Sequence, residues 1–240
     1  MLTAKIHSLQ SMGAVDGPGL RYTIFFQGCP LRCVYCHNPD TWDFQNGDIA
    51  TVDQLLQKIQ RCLPYLKGGG VTATGGEPLM QAEFVAELFR RLREEGIHTA
   101  LDTSGIAPES SARLVLEHTS LVLADLKFTT EEDYRRLCGG SLDAVLHFLS
   151  LTRERRIPLW VRHVVVPGLT DSAEHARRFA KITAGFPNLE HIELLPFHKL
   201  CLEKYRTFGI VFPLENTPAA QKNDVEQFRS LLQACGETRV

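Results

Sequence analysis

The stretch Leu159-Trp160-Val161-Arg162-His163-Val164-Val165-Val166 is apolar at six of its eight positions, with two polar residues near its middle. A strand that is covered on both faces carries such a nearly continuous apolar run, whereas a strand with one wet face alternates apolar and polar residues. The stretch therefore predicts an interior strand of a parallel sheet that has helices on both sides.

Five further apolar or β-branched runs predict strands, at residues 20–26, 71–74, 99–103, 121–128 and 191–197. Amphipathic segments lie between them and predict helices at 55–63, 81–95, 108–117, 141–155, 171–184 and 221–234. Thr51 and Gln54 have the spacing of a capping box at the start of the first of these helices. Strands that alternate with helices favour βαβ units and a parallel sheet.

The six units follow one another without a composition break or a linker rich in Gly, Ser or Pro. We expect a single α/β domain over residues 1–240. Periodicity fits a doubly wound sheet and an incomplete (β/α) barrel equally well.

The 240 residues include 26 Lys and Arg and 28 Asp and Glu, without a long run of either sign. This balance disfavours a protein that binds nucleic acid or an anionic membrane surface, because both tasks normally need a concentrated basic face. No stretch approaches the roughly 20 apolar residues that span a bilayer. The first residues also lack the layout of a secretory signal. We expect a cytoplasmic protein.

Three of the seven cysteines, Cys29, Cys33 and Cys36, crowd into the loop at residues 27–39 that directly follows the first predicted strand. Pro30 discourages a regular helix there, so the three sulfurs can converge on one metal centre. The spacing Cys-x3-Cys-x2-Cys fits an iron–sulfur cluster with one iron left open, since an electron-transfer cluster normally takes four cysteines. A structural zinc site and a chance grouping stay open as alternatives. The scattered cysteines are interpreted as small buried hydrophobes: Cys62, Cys138, Cys201 and Cys235.

Together with Tyr35 before the last cysteine, this loop resembles that of the radical S-adenosylmethionine (SAM) superfamily. The resemblance extends along the chain to the family of glycyl-radical-enzyme activating enzymes. It rests on segments at 15–19, 25–29, 35–38, 68–72, 75–77, 101–103, 125–127, 164–168 and 192–196. It implies an incomplete (βα)6 barrel like a partial TIM barrel, with a [4Fe-4S] cluster on Cys29, Cys33 and Cys36 and with SAM bound at the open iron.

The resemblance also implies the reaction. An electron from the reduced cluster cleaves SAM to methionine and a 5′-deoxyadenosyl radical, which removes a hydrogen from the Cα of a glycine in a partner enzyme. Only Cys62 lies between Cys36 and Val71, so the chain lacks the additional cluster cysteines of many activators of other glycyl-radical enzymes. This absence favours pyruvate formate-lyase as the partner. The family implies a flavodoxin or similar protein as the electron donor.

By resemblance, the SAM-binding residues are Tyr35, Cys36, His37, Gly75, Gly76, Glu77, Asp125, Leu126, Lys127 and His198. Two glycines after a strand let the backbone approach a ligand closely, although such glycines more often only form a turn. Asp125 and Lys127 are opposite charges in an apolar strand, which is costly unless they pair or face a polar ligand. A monovalent cation is expected, by the same resemblance, near Asp16, Asp102, Thr103 and the carbonyl of Leu123.

Most of these candidates fall at the carboxyl ends of successive predicted strands, where active sites of parallel α/β folds lie. Convergence of several strands on one ligand favours the barrel. Arg162 is charged within an apolar strand, and we hypothesise that it helps to place the incoming peptide. Two other functions stay open: activation of a different glycyl-radical enzyme, and a non-catalytic metal or electron-transfer module.

Overall fold

The computed structural model describes residues 2–66 and 68–240. The strands are β1 (Thr3–Gly13), β2 (Arg21–Phe26), β3 (Asp48–Thr51), β4 (Gly70–Gly75), β5 (His98–Thr103), β6 (Leu121–Asp125), β7 (Leu159–Val165) and β8 (Leu189–Pro196). The helices are α1 (Val52–Cys62), α2 (Ala82–Glu94), α3 (Glu109–Leu116), α4 (Glu131–Cys138), α5 (Leu142–Glu154), α6 (Ala173–Thr183), α7 (Leu202–Thr207) and α8 (Lys222–Ala234).

Six parallel strands, which are the six that the apolar runs predict, form the main part of one eight-stranded sheet. The spatial order is β3-β1-β2-β4-β5-β6-β7-β8, and every pair from β2 to β8 is parallel. In the described part of the chain the sheet ends at β3 on one side and at β8 on the other. The expected α/β architecture with an incomplete barrel is therefore confirmed.

The sequence analysis missed β1 and β3, which add an antiparallel edge beside β2. Only Ala4, Ile6 and Gly13 are buried along β1, and its other residues are partly or fully exposed. An edge strand with so few buried side chains lacks the apolar run by which the interior strands were found. By contrast, the first five residues of β4 are all buried, as expected for a strand covered on both faces.

All six predicted helices are present, and their ends lie within two residues of the predicted bounds, except that α1 begins three residues earlier, at Val52. The capping box of α1 is formed: the Thr51 hydroxyl accepts from the Gln54 N–H (3.2 Å), and the Gln54 side chain accepts from the Thr51 N–H (2.9 Å). Helices α4 and α7 were not predicted. Each buries only one or two side chains, Tyr134 and Cys138 in α4 and Tyr205 in α7, so neither carries a clear apolar stripe.

The predicted strand at 121–128 is three residues too long, because β6 ends at Asp125. The Leu126 N–H still donates to the Arg162 carbonyl of β7 (3.0 Å), but the backbone then leaves the sheet. This early exit places residues 125–127 at the carboxyl edge of the sheet. None of the helices in the described ranges is both long and apolar enough for a membrane crossing.

Candidate active site

A cavity of about 300 Å³ lies at the carboxyl ends of the parallel strands. It brings together most of the residues that the sequence singled out. The predicted site residues that line it are Asp16, Cys29, Cys33, Tyr35, Cys36, His37, Gly75, Gly76, Asp102, Thr103, Asp125, Lys127 and Arg162. A larger cavity of about 430 Å³ lies between β1, β3 and α1, but none of the predicted site residues lines it.

The cysteine loop at residues 27–39 follows β2 and forms no regular helix before the short 3₁₀ turn at Pro39–Thr41. Its backbone is tied to two other parts of the chain. The Gly28 N–H donates to the Thr41 carbonyl (2.8 Å), and the Arg32 and Val34 N–H groups donate to the carbonyls of Cys138 (2.9 Å) and Leu137 (2.8 Å). The carboxyl end of α4 therefore supports the loop directly beneath Cys33.

The three thiols of the loop are in surroundings that disfavour a bare thiolate. Burial raises the pKa of Cys29 to about 12 and that of Cys36 to about 11. A hydrogen bond with the Cys138 thiol, together with burial, raises the pKa of Cys33. Such thiols stay protonated at neutral pH unless a metal takes the place of the proton.

The donor set fits an iron–sulfur cluster better than a single metal ion. Among the described residues, no three His, Cys, Asp or Glu side chains are placed to hold one ion, whereas three soft sulfur donors line one cavity. A fourth cysteine, Cys138, contacts the Cys33 thiol but donates its own S–H to the Tyr134 carbonyl (3.0 Å). Cys138 is not among the cavity-lining residues, so three thiols face the cavity.

The glycines of the segment Gly75–Glu77 allow this segment to lie against the cysteine loop. The Gly76 N–H donates to the Phe26 carbonyl and the Glu77 N–H donates to the Gly28 carbonyl, both at 2.9 Å. A Cβ on Gly76 would lie 2.3 Å from the Gly28 oxygen, closer than any side chain can tolerate. Gly75 has a φ of +105°, which favours glycine.

The Glu77 side chain does not line the cavity. It is fully buried, and its carboxylate accepts from the Thr103 hydroxyl (2.6 Å), the Ser104 hydroxyl (2.5 Å), the Ser104 N–H (2.9 Å) and the Leu79 N–H (3.1 Å). Burial raises the pKa of Glu77, although these four hydrogen bonds oppose the rise. The carboxylate thus joins the loop after β4 to the loop after β5.

Asp125 and Lys127 form an ion pair of 2.7 Å at the wall of the cavity. Burial alone would lower the pKa of Lys127, but charge interactions with Asp125, followed by those with Cys33 and Tyr35, together outweigh burial, and the pKa lies well above its usual value. The Leu126 side chain between them is buried and points away from the cavity lining. A pair of charges in this position can bind a zwitterionic ligand.

His37 and His198 stack on each other, with ring centroids 4.0 Å apart. The His37 ring is also within 3.0 Å of the His198 carbonyl through its Nε2. Only His37 of the two lines the cavity. The hydroxyl of Tyr35, in contrast, is buried beside the cavity without a hydrogen-bond partner among the described residues, so it is available to a ligand.

Only some of the residues expected near a cation line the cavity, and the carboxylates among them already have partners within the protein. Asp16 and Asp102 both line the cavity, but the Asp16 carboxylate accepts from the Thr23 hydroxyl (3.1 Å) and Asp102 accepts from Arg162 (3.0 Å) and the Thr74 hydroxyl (2.7 Å). The Leu123 side chain is fully buried and is absent from the cavity lining.

Arg162 uses all three of its nitrogens on partners within the protein. It donates to Asp102, to the Glu193 carboxylate (2.8 Å) and to the Val15 carbonyl. Sequence reasoning missed Glu193, although an acidic residue in the apolar stretch of β8 carries the same signal as Arg162 in β7. It also missed Ser104 and Tyr134, for which the sequence offers no comparable signal.

Comparisons with known proteins agree with this geometry. The family model of the radical SAM superfamily matches residues 23–180. The pyruvate formate-lyase-activating enzyme of Clostridium pasteurianum is 42% identical over 234 residues, covering 97% of this chain and 98% of that protein. The pyruvate formate-lyase 1-activating enzyme of Escherichia coli K12 is 41% identical over 236 residues, covering 97% and 96%. The chain therefore belongs to the radical SAM superfamily and, within it, to the family of the pyruvate formate-lyase-activating enzymes.

Solved structures agree with the fold. A domain of a pyruvate formate-lyase-activating enzyme from Bacteroides vulgatus superposes with a TM-score of 0.58 at 26% identity, covering 70% of this chain and 96% of that one. A radical SAM methyltransferase from Sphaerobacter thermophilus superposes with a TM-score of 0.64 over 90% of this chain and 64% of that one. At 17% identity it shows a shared fold. Enzymes of this superfamily use a [4Fe-4S] cluster and SAM.

Proposed function

We propose that this protein activates pyruvate formate-lyase by generating a glycyl radical on it. The observation that carries the proposal is the placement of three thiols, the Gly75–Gly76 backbone and the Asp125–Lys127 ion pair on one cavity. The identity of 41–42% to named activators over almost the whole chain supports the choice of partner.

The cluster-binding residues of the proposal are Cys29, Cys33 and Cys36, in the loop at 27–39 of a single radical SAM domain. When bound, the reduced cluster and SAM supply a one-electron cleavage whose product abstracts the hydrogen from the glycine of the partner. With only three thiols to hold it, a [4Fe-4S] cluster would have one iron without a protein ligand, and SAM would bind there.

The remaining residues bind and orient the cofactor. Lys127 and Asp125 present opposite charges that match the carboxylate and ammonium of a methionyl group. The Gly75 and Gly76 backbone permits close approach, while buried Glu77 fixes that backbone from behind. The proposed contacts of the remaining parts of SAM are Tyr35, Cys36, His37, Leu126 and His198.

Four further parts of the proposal, a cation, an electron donor, a location and the role of Arg162, rest on the resemblance or on the sequence. A monovalent cation would bind near Asp16, Asp102, Thr103 and the Leu123 carbonyl, where acidic oxygens favour a hard cation. A flavodoxin or similar protein would donate the electron, and the cytoplasm would be the location. All three nitrogens of Arg162 are engaged within the protein. Its proposed role in placing the peptide would therefore be indirect, through the positions of Asp102 and Val15.

The cluster is tested by anaerobic reconstitution with iron and sulfide. The wild-type protein and Cys62→Ser, which alters a cysteine away from the cavity, should bind about four iron per chain. Cys36→Ser should bind substantially less. Equal iron contents in the two variants would contradict the assignment of the cluster loop.

The reaction is tested by adding SAM and a reductant to the reconstituted protein. The proposal expects 5′-deoxyadenosine and an electron paramagnetic resonance signal of a glycyl radical on purified pyruvate formate-lyase. A signal on a different glycyl-radical enzyme alone would change the partner. If SAM does not change the spectrum of the cluster, the remaining interpretation is a non-catalytic metal or electron-transfer module.

A further inference from the structure

The backbone of residues 125–127 is held at three points after it leaves β6. The Leu126 N–H donates to the Arg162 carbonyl (3.0 Å), and the Lys127 N–H donates to the Tyr134 hydroxyl (2.9 Å). The third contact comes from a side chain: Nδ1 of His163 lies 2.7 Å from the Leu126 carbonyl. This histidine therefore binds the one residue that separates Asp125 from Lys127.

His163 acts from outside the cavity. Side chains alternate along a strand, so Arg162 and Val164 face the cavity while His163 faces the helices. Its ring packs on His175, Phe179 of α6 and Phe228 of α8, with centroid distances of 5.0, 4.9 and 5.4 Å, and is 1% exposed. Its Nδ1 edge nevertheless reaches the Leu126 carbonyl.

The protonation of His163 follows from these surroundings. Burial lowers the pKa of His163 to about 4, so the ring is neutral at neutral pH and has one N–H. A carbonyl can only accept, and this N–H therefore lies on Nδ1. The Nε2 atom is buried without a hydrogen-bond partner among the described residues. Among the described residues, the Leu126 carbonyl is thus the strongest hydrogen-bond partner of the ring, and a weaker contact with the backbone of Thr170 also favours the protonated form.

We propose that His163 is a positioning residue for SAM: by donating Nδ1–H to the Leu126 carbonyl it sets the directions in which Asp125 and Lys127 enter the cavity. The proposal rests on the proposed function, since it concerns SAM binding at the same site. Without this donor the buried carbonyl lacks its partner, and the backbone between the two charged residues must shift to find another. The ion pair that faces the ligand shifts with it.

Two substitutions separate the donor from the ring. His163→Phe keeps the ring volume, removes the donor and also removes the unpartnered Nε2. His163→Asn keeps a donor at the position of Nδ1 and loses part of the ring. The matched control is His175→Phe, because His175 is buried in the same cluster and its hydrogen bond goes to the Thr129 hydroxyl (3.3 Å) rather than to the Leu126 carbonyl.

The readouts are the SAM dissociation constant of the reconstituted protein, by equilibrium dialysis, and the midpoint of thermal unfolding. We also include amide hydrogen exchange at residues 125–128 in the protein before reconstitution. His163→Phe should weaken SAM binding about tenfold, the order of one buried hydrogen bond, and speed exchange at 125–128. His163→Asn should unfold at a lower temperature yet bind SAM within about twofold of wild type. His175→Phe should bind SAM as wild type does.

The opposite order of SAM affinities in the two His163 variants would overturn the inference. If His163→Asn loses SAM affinity and His163→Phe retains it, the residue contributes only packing volume. Unchanged exchange at 125–128 in His163→Phe would also contradict it. These outcomes differ from failure of the proposed function, in which the wild-type protein itself would not bind SAM.

Discussion

The Asp125 carboxylate accepts a hydrogen bond of 2.7 Å from the Lys127 ammonium, two residues further along the chain, at the wall of the cavity that the three thiols line. Both side chains are largely buried, with 28% and 13% of their surfaces exposed. Each charge therefore depends on the other when no ligand is bound.

Removing one partner of this pair should be costly. Lys127→Met should lower the free energy of unfolding by about 3 kcal/mol, because a mostly buried carboxylate is left without its counterion. Arg136→Met, which breaks the exposed pair with Asp133, should cost less than about 1 kcal/mol. Urea denaturation of both variants measures the difference, and similar small losses would show that Asp125 is well solvated without Lys127.

Close contact between Gly76 and Gly28 predicts a steric effect on cluster binding. Gly76→Ala should push the cysteine loop away from the end of β4, lowering both iron content after reconstitution and the free energy of unfolding, the latter by about 1–3 kcal/mol. Gly185→Ala is the control, since its Cβ would meet nothing closer than 3.4 Å. Wild-type iron content in Gly76→Ala would mean that the two loops can separate without harm.

The hydrogen bonds of Glu77 predict a loss of stability on a nearly isosteric change. Glu77→Gln should lower the free energy of unfolding by about 1–3 kcal/mol, because an amide nitrogen cannot accept from the Ser104 or Leu79 N–H. Glu83→Gln, on the exposed side of α2, should change it by less than about 0.5 kcal/mol. Equal stabilities of the two variants would refute a structural role for the Glu77 carboxylate.

Two buried histidines predict a dependence of stability on pH. Burial lowers the pKa of His163 to about 4 and that of His175 to about 2, from an ordinary value of 6.5. Between about pH 4 and 6 the unfolded chain binds protons that the folded protein does not, so stability falls as the pH falls.

The variant His175→Phe should remove one of these protons. In this window the slope of unfolding free energy against pH should decrease by about 1.4 kcal/mol per pH unit. Denaturation series at several pH values measure the slope. An unchanged slope would show that His175 is protonated in the folded protein.

The interior of the fold was predictable from sequence, and its margin was not. Strands β4 and β7 bury most of their residues, so their apolar runs identify them, whereas β1 alternates weakly at an exposed edge. Helix α4 was missed because only Tyr134 and Cys138 are buried in it.

The candidate site divides in the same way. Side chains that line the cavity, such as Cys33 and Lys127, stand out by type or by a charge within an apolar run. Residues that support the site from outside the cavity do not stand out in this way. Glu77 belongs to a motif, but its side chain turns into the protein interior, and His163 lies at an ordinary position on the outer face of β7. Their roles depend on neighbours that are distant in sequence, which no local pattern encodes.

The hydrogen bonds that join Gly76 to Phe26 and Glu77 to Gly28 have a consequence for the evolution and the engineering of this protein. These backbone hydrogen bonds hold the glycine segment against the end of β2 and the start of the cysteine loop, so a change in the backbone path of one segment changes the position of the other. A loop exchanged between relatives, by recombination or by design, should be transplanted together with its counterpart. The two segments are therefore expected to change together, although a whole helix lies between them in the chain.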